Sequence, residues 1–197
     1  MSLAERQNVI SSFTIIKGAM TLETYQVLER WDFDLTKKQN LDRLRAENYI
    51  GATSSSWLEQ VAKVINRRID PDGRDLALVT LAKGGLSLEE WTPILLWHIT
   101  RDEFLFHDFL VNWLFNMQRE GIYRVRPEDL YEYLRSLESG AGETAHEWSS
   151  NTLRRVASAL LKMAADVGLL TGGAIKEFSQ YHAPERSVGY LLSLIHI

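Results

Sequence analysis

Ser150, Asn151, Arg154, Arg155, Ser158 and Lys162 recur with the period of a helix, so they gather on one side of it. Their chemistry is that of nucleic-acid contact. Guanidinium and ammonium groups neutralise phosphates and release counterions, hydroxyls and amides bond phosphate oxygens, and Arg and Asn match guanine and adenine edges. A second set, Ser55, Ser56, Lys63 and Arg67, repeats the pattern earlier in the chain. In both sets serines at a helix start offer hydroxyls and caps beside the positive end of the helix dipole. The same dressing also describes an amphipathic surface helix whose arginines are merely solvated, which is the commoner case.

His98, Asp102, Glu103, His107 and Asp108 form the main cluster of His and acidic residues. Positions 98 and 102 lie one helical turn apart, a spacing that suits two metal ligands. His98 sits within Leu95-Leu96-Trp97-His98-Ile99, however, and equally reads as a satisfied core histidine. No Gly-rich phosphate loop, HExxH or GxSxG is present, so no catalytic residue, metal site or cofactor is expected, and the chain reads as a non-enzyme. Glu89-Glu90 and Glu128-Asp129 suit first-turn acids that complement helix dipoles.

The elements that carry these residues are helical almost throughout. Leu153, Val156, Ala157, Leu160, Leu161, Ala164 and Val167 form an apolar stripe opposite the basic face of the later set. Ser149 or Ser150 caps its start, and Gly168 ends it. The Gly172-Gly173 turn and the segment around Ile175 to Phe178 then predict a hairpin, as in a winged helix. Earlier, apolar periodicity predicts helices over 21–31 and 36–48. Thr53-Ser54-Ser55-Ser56 then offers several caps for a helix over about 57–69, with Leu58, Val61, Ile65 and Ile69 inward. Helices are expected over 75–83, 87–99 and 103–120, rich in Trp and Phe that suit a core, and over 127–137, with Pro127 in its first turn.

The expected architecture is therefore all-α. It is a multi-helix bundle of two helix-turn-helix or winged-helix-like units, spanning 12–82 and 86–197, with a short C-terminal β-hairpin wing.

Composition limits what these faces can do. With 197 residues and 45% hydrophobic content the chain can bury a real core, and its net charge of −4 confines any DNA site to a local patch. The acidic excess sits in residues 81–197. The absence of cysteine excludes disulfides, thiolate zinc sites and a cysteine nucleophile, and fits a cytoplasmic protein. No signal-like start is present, and Arg101-Asp102-Glu103 and His107-Asp108 interrupt the most apolar region, so no membrane association is expected.

Several weak patterns occur in a particular order: Ser12-Phe13-Thr14 with Gly18, the run Asn40 to Ser56 leading into Ala62-Lys63-Val64-Ile65-Asn66-Arg67-Arg68, and Thr152-Leu153-Arg154-Arg155 through Gly168-Leu169-Leu170. In these the chain resembles the BrxA family of BREX bacteriophage-exclusion loci, over most of residues 12–195. The resemblance implies an all-helical fold with helix-turn-helix or winged-helix character, duplex DNA as a partner, and a non-catalytic accessory role in phage defence beside other BREX proteins. The acidic second part departs from what strong sequence-independent DNA affinity needs. Two alternatives stay open: a protein–protein adaptor working through the aromatic helices 86–119 or the apolar end 188–197, and an RNA-binding helical bundle. No small-molecule substrate is expected.

Overall fold

The computed structural model describes residues 9–10, 15–137, 141–142 and 148–195. In chain order the elements are β1 (Val9–Ile10), α1 (Thr21–Glu29), α2 (Lys37–Glu47), α3 (Ser55–Arg68), α4 (Leu76–Lys83), α5 (Leu88–Asp102), α6 (Phe104–Asp108), a π-helical turn (Phe109–Leu114), α7 (Phe115–Arg119), β2 (Arg124–Val125), a 3-10 turn (Pro127–Leu130), α8 (Tyr131–Ser136), β3 (Ala141–Gly142), α9 (Ser150–Asp166), β4 (Leu170–Thr171), β5 (Lys176–Phe178) and α10 (Glu185–Ile195). Helix dominates, as the sequence predicts, and the strands are two or three residues long.

These elements form two compact units. A helical unit comprises Met20–His98 with Ala183–Ile197, and a hairpin unit comprises Ile99–His182 with the described part of Met1–Ala19. The boundary expected at 82–86 thus falls inside the helical unit, and the segment after 183 belongs with that unit.

In the helical unit, α2 starts at a reciprocal cap. Thr36 Oγ1 accepts from the Gln39 amide at 3.3 Å, and Gln39 Oε1 accepts from the Thr36 amide at 2.9 Å. Buried Asn40 holds the turn before this helix, donating to Asp32 O at 2.8 Å and accepting from Asp32 N at 3.0 Å. α2 packs on α3, which buries Leu58, Val61, Ala62, Val64 and Ile65 on one stripe. Lys37 ties the pair together by donating to Asn66 O at 2.7 Å and Ile69 O at 2.6 Å, the open carbonyls at the end of α3. Burial pushes the Lys37 ammonium below its usual pKa, against the pull of Asp70, Asp75 and Asp72.

α1 packs on α4, and Tyr25 meets Trp91 edge-on at 5.3 Å. Helix α10 joins this unit through Ser187, whose hydroxyl donates to Glu90 O at 2.5 Å, and through Tyr190.

In the hairpin unit, the rings of Phe106, Phe109 and Trp113 stack in sequence at centroid spacings of 6.3 and 5.6 Å. The π-helical turn is the local departure from the single regular helix expected over 103–120. The apolar stripe of α9, Leu153, Val156, Ala157, Leu160, Leu161 and Ala164, is buried. Gly168, at φ +83°, ends that helix in a Schellman arrangement. Its N–H donates to Ala165 O at 3.0 Å, and the Leu169 N–H donates to Ala164 O at 2.9 Å. The chain then reverses into the antiparallel pair β4–β5, the hairpin read from the glycines, with Leu170 opposite Phe178 and Thr171 opposite Glu177. β2 adds to the other edge of β5, giving a three-stranded antiparallel sheet in the order β2-β5-β4 with Val125 opposite Lys176. A separate parallel pair joins β1 and β3.

Candidate nucleic-acid interface

The face of α9 opposite its apolar stripe exposes Ser150, Asn151, Arg154, Arg155, Ser158 and Lys162 along one helix. The cap is Ser149, whose hydroxyl accepts from the Thr152 amide at 3.2 Å, which leaves Ser150 as the first helical residue. No acid occupies the first turn. The dipole's positive end is therefore not offset there by a carboxylate, unlike in α1 with Glu23 or α5 with Glu89 and Glu90. Arg154 reaches Asn151 Oδ1 at 3.5 Å, so these two side chains stand together on the first turns. Lys162 pairs with Asp166 one turn on, at 2.8 Å, which partly neutralises the far end of the face.

The helix α3 presents Ser55, Ser56, Lys63 and Arg67, all exposed, with Ser54 as the cap accepting from the Trp57 amide at 3.1 Å. Here the cations are more compensated. Glu59 binds Arg45 at 2.7 Å and lies 3.6 Å from Lys63, while Arg45 also meets Asp42 at 3.1 Å. The Arg45 guanidinium holds the Glu59 carboxyl below its usual pKa, so near neutral pH the carboxylate stays charged and continues to offset both cations. Each predicted set is thus assembled within its own unit, four residues on α3 and six on α9.

Sequence reasoning passed over Arg126 and Lys176. Strand pairing brings them near the α9 face, because Lys176 faces Val125 across the sheet and Arg126 follows directly. A two-residue strand with no alternation gives no period to find, so only the long-range register reveals the pair.

The His and acidic cluster separates into structural pairs. His98, 2% exposed, has Nδ1 2.6 Å from Asp75 Oδ1 and Nε2 2.9 Å from the Tyr190 hydroxyl, with Asp75 fully buried. This is the core-histidine arrangement. Asp102 pairs with Arg101 at 3.1 Å, and Asp108 accepts from the Tyr133 hydroxyl at 2.6 Å. Among the described residues, no group of three or more His or acidic side chains is placed to hold a metal ion.

The aromatic helices are mainly core, with Trp91, Phe106, Phe109 and Trp113 buried. Phe115, at 55%, and Val111, at 49%, are exposed beyond them. Among the described residues, no helix is long and apolar enough to cross a membrane.

No curated protein matches this chain. A family model does, over residues 12–193, nearly the whole sequence and both basic faces: the chain belongs to the BrxA family, accessory proteins of BREX phage-defence systems.

Proposed function

We propose that this chain is a non-catalytic DNA-binding component of its BREX system, acting in the cytoplasm, with α9 as the helix that meets duplex DNA. The observation that carries the reading is the order of elements in the hairpin unit: helices α6–α7, strand β2, helix α8, the two-residue strand β3 that pairs apart with β1, helix α9, then the β4–β5 hairpin. Leaving β3 aside, the helices and the three-stranded sheet β2-β5-β4 follow the helix-strand-helix-helix-strand-strand plan of a winged helix, in which the last helix enters the major groove and the hairpin flanks it. α9 occupies that position with Asn151, Arg154 and Arg155 outward. The α2–α3 pair, with Ser55, Ser56, Lys63 and Arg67, serves in this reading as a second, weaker phosphate contact, because Glu59 offsets Lys63. Other BREX proteins are the natural partners of a non-catalytic subunit.

Charge reversal tests the reading. Arg154→Glu with Arg155→Glu abolishes duplex binding in fluorescence anisotropy while the thermal unfolding profile stays unchanged, since both side chains are exposed. Duplex binding retained by this variant would remove α9 as the contact.

A second reading is favoured by one observation. Val111, Phe115, Ile122 and the 83%-exposed Tyr123 are large apolar side chains left at the surface of the hairpin unit, and Phe115 lines a groove of about 140 Å³ together with Leu110, Leu169 and Phe178. Such a surface suits a protein partner. It is compatible with DNA contact through α9, so the adaptor role would add to DNA binding rather than replace it.

A further inference from the structure

Between the outward face of α9 and the turn of the hairpin lies an open groove of about 770 Å³. It is lined by Arg126, Ser158, Lys162, Gly173, Ala174 and Lys176, among others. Three of these six are cationic and come from three separate places: the residue after β2, the last turns of α9 and the start of β5. Among the described residues, the one carboxylate on the lining is Glu128.

Each cation has a local tie, Arg126 through its backbone and the two lysines through their ammonium groups. The Arg126 backbone N–H donates to Asp129 Oδ2 at 2.7 Å, which fixes the residue while its side chain remains exposed. Lys176 donates to Gly172 O at 2.8 Å, and an ammonium has two further N–H donors to direct elsewhere. Lys162 lies 2.8 Å from Asp166, a pair that side-chain rotation can open at an exposed site.

The hairpin turn can form one wall closely. Gly172 has φ +90°, and a Cβ there would lie 2.7 Å from Ile175 O, so the turn is built on the missing side chain. Gly173 follows with open space where its Cβ would be, leaving bare backbone on the groove side.

We propose that this groove seats the sugar–phosphate backbone of one strand of the duplex, with Arg126 and Lys176 as its phosphate anchors and Lys162 joining them as it leaves Asp166. The inference rests on the duplex-DNA reading above and adds to it a site made by the hairpin and β2 rather than by α9 alone. Asp166 then acts as a built-in competitor: it holds Lys162 in the free protein and must yield it to phosphate. The chemistry shared with a free anion is the phosphate oxygen itself, and the two sources separate by test.

The experiment measures duplex affinity by anisotropy over a series of salt concentrations for the full chain, for Arg126→Gln with Lys176→Gln, and for Asp166→Asn. Losing two phosphate contacts makes the slope of log K against log salt shallower by about 1.8. Preference among duplex sequences should not change, because phosphates carry no base identity. Asp166→Asn should bind roughly two- to five-fold more tightly at low salt, the scale of an exposed ion pair; a merely structural role for Asp166 gives no such gain.

If the wild-type chain binds duplex and the Arg126/Lys176 variant keeps its slope, the groove assignment fails while the DNA reading stands. If the wild-type chain binds no duplex, both fail. In a parallel arm, NMR shifts on Arg126 and Lys176 are followed with inorganic phosphate alone. Shifts there, combined with an unchanged duplex slope, would reassign the groove to a small anion and overturn the proposal.

Discussion

The buried chain Tyr190–His98–Asp75 makes a quantitative prediction about how α10 stays on its unit. Asp75 is fully buried and its carboxylate can only accept, so His98 Nδ1, 2.6 Å from Asp75 Oδ1, is the donor of that hydrogen bond. Nε2 makes a hydrogen bond with the Tyr190 hydroxyl at 2.9 Å. The second carboxylate oxygen of Asp75 accepts from the Asp70 amide at 2.7 Å, which fixes the whole relay to the turn after α3.

Tyr190→Phe removes the hydroxyl partner and leaves a buried ring nitrogen unsatisfied, at a cost of about 1–3 kcal/mol. His98→Ala removes the nearest partner of a buried carboxylate and empties a ring-sized space, at a cost of about 3–5 kcal/mol. The two residues touch, so the double variant should fall short of the sum by more than about 0.5 kcal/mol. Urea unfolding followed by tryptophan fluorescence reads all three values, with Trp97 at 4.9 Å from the His98 ring as a local reporter. A Tyr190→Phe chain as stable as wild type, or strictly additive losses, would refute the relay.

Other expectations follow from single contacts. Glu59→Gln removes the anion that offsets Lys63 and Arg45, so it should strengthen duplex binding at low salt, about two- to five-fold, and lose this advantage at high salt; an unchanged affinity would mean that α3 does not meet DNA. Gly172→Ala forces a Cβ against Ile175 O at φ +90°, so hydrogen exchange in β4 and β5 should accelerate while α9 stays protected. Burial and the Asp108 carboxylate raise the Tyr133 phenol above its usual pKa of 10.0. Its protonated form therefore stabilises the fold fully below pH 10, and that stability is lost as pH rises beyond 10. Tyr133→Phe should flatten the alkaline part of the unfolding curve, and an unaltered dependence above pH 10 would place the titration elsewhere.

Much of the local structure was legible because it rests on period and punctuation. The stripe from Leu153 to Val167 and the outward Asn151, Arg154 and Arg155 follow from the helical repeat, and Gly168 and Gly172 marked the stop and the turn of the hairpin. The caps were legible only as sets of candidates, from which the fold selects Ser54 and Ser149, because adjacent serines offer the same hydroxyl and only geometry selects one. What could not be read is pairing between distant segments. β2 joins β5 across fifty residues with only Arg124 and Val125, and that register is what brings Arg126 and Lys176 towards α9. The return of α10 to the helical unit likewise depends on Ser187 meeting Glu90 and Tyr190 meeting His98, contacts with no local signature. His98 shows the same limit from the other side: its spacing to Asp102 suggested ligands, while its partners lie 23 residues before it and 92 after it.

The most direct test of the account is duplex DNA binding by the wild-type chain at 50 and 200 mM salt, with unlabelled RNA and duplex as competitors. Non-specific contact through Arg154, Arg155 and Lys162 predicts micromolar-scale binding at the lower salt that weakens about forty-fold at the higher, the effect of about three phosphate contacts, and is displaced by duplex in preference to RNA. No binding at 50 mM salt, or displacement by RNA as readily as by duplex, would contradict it.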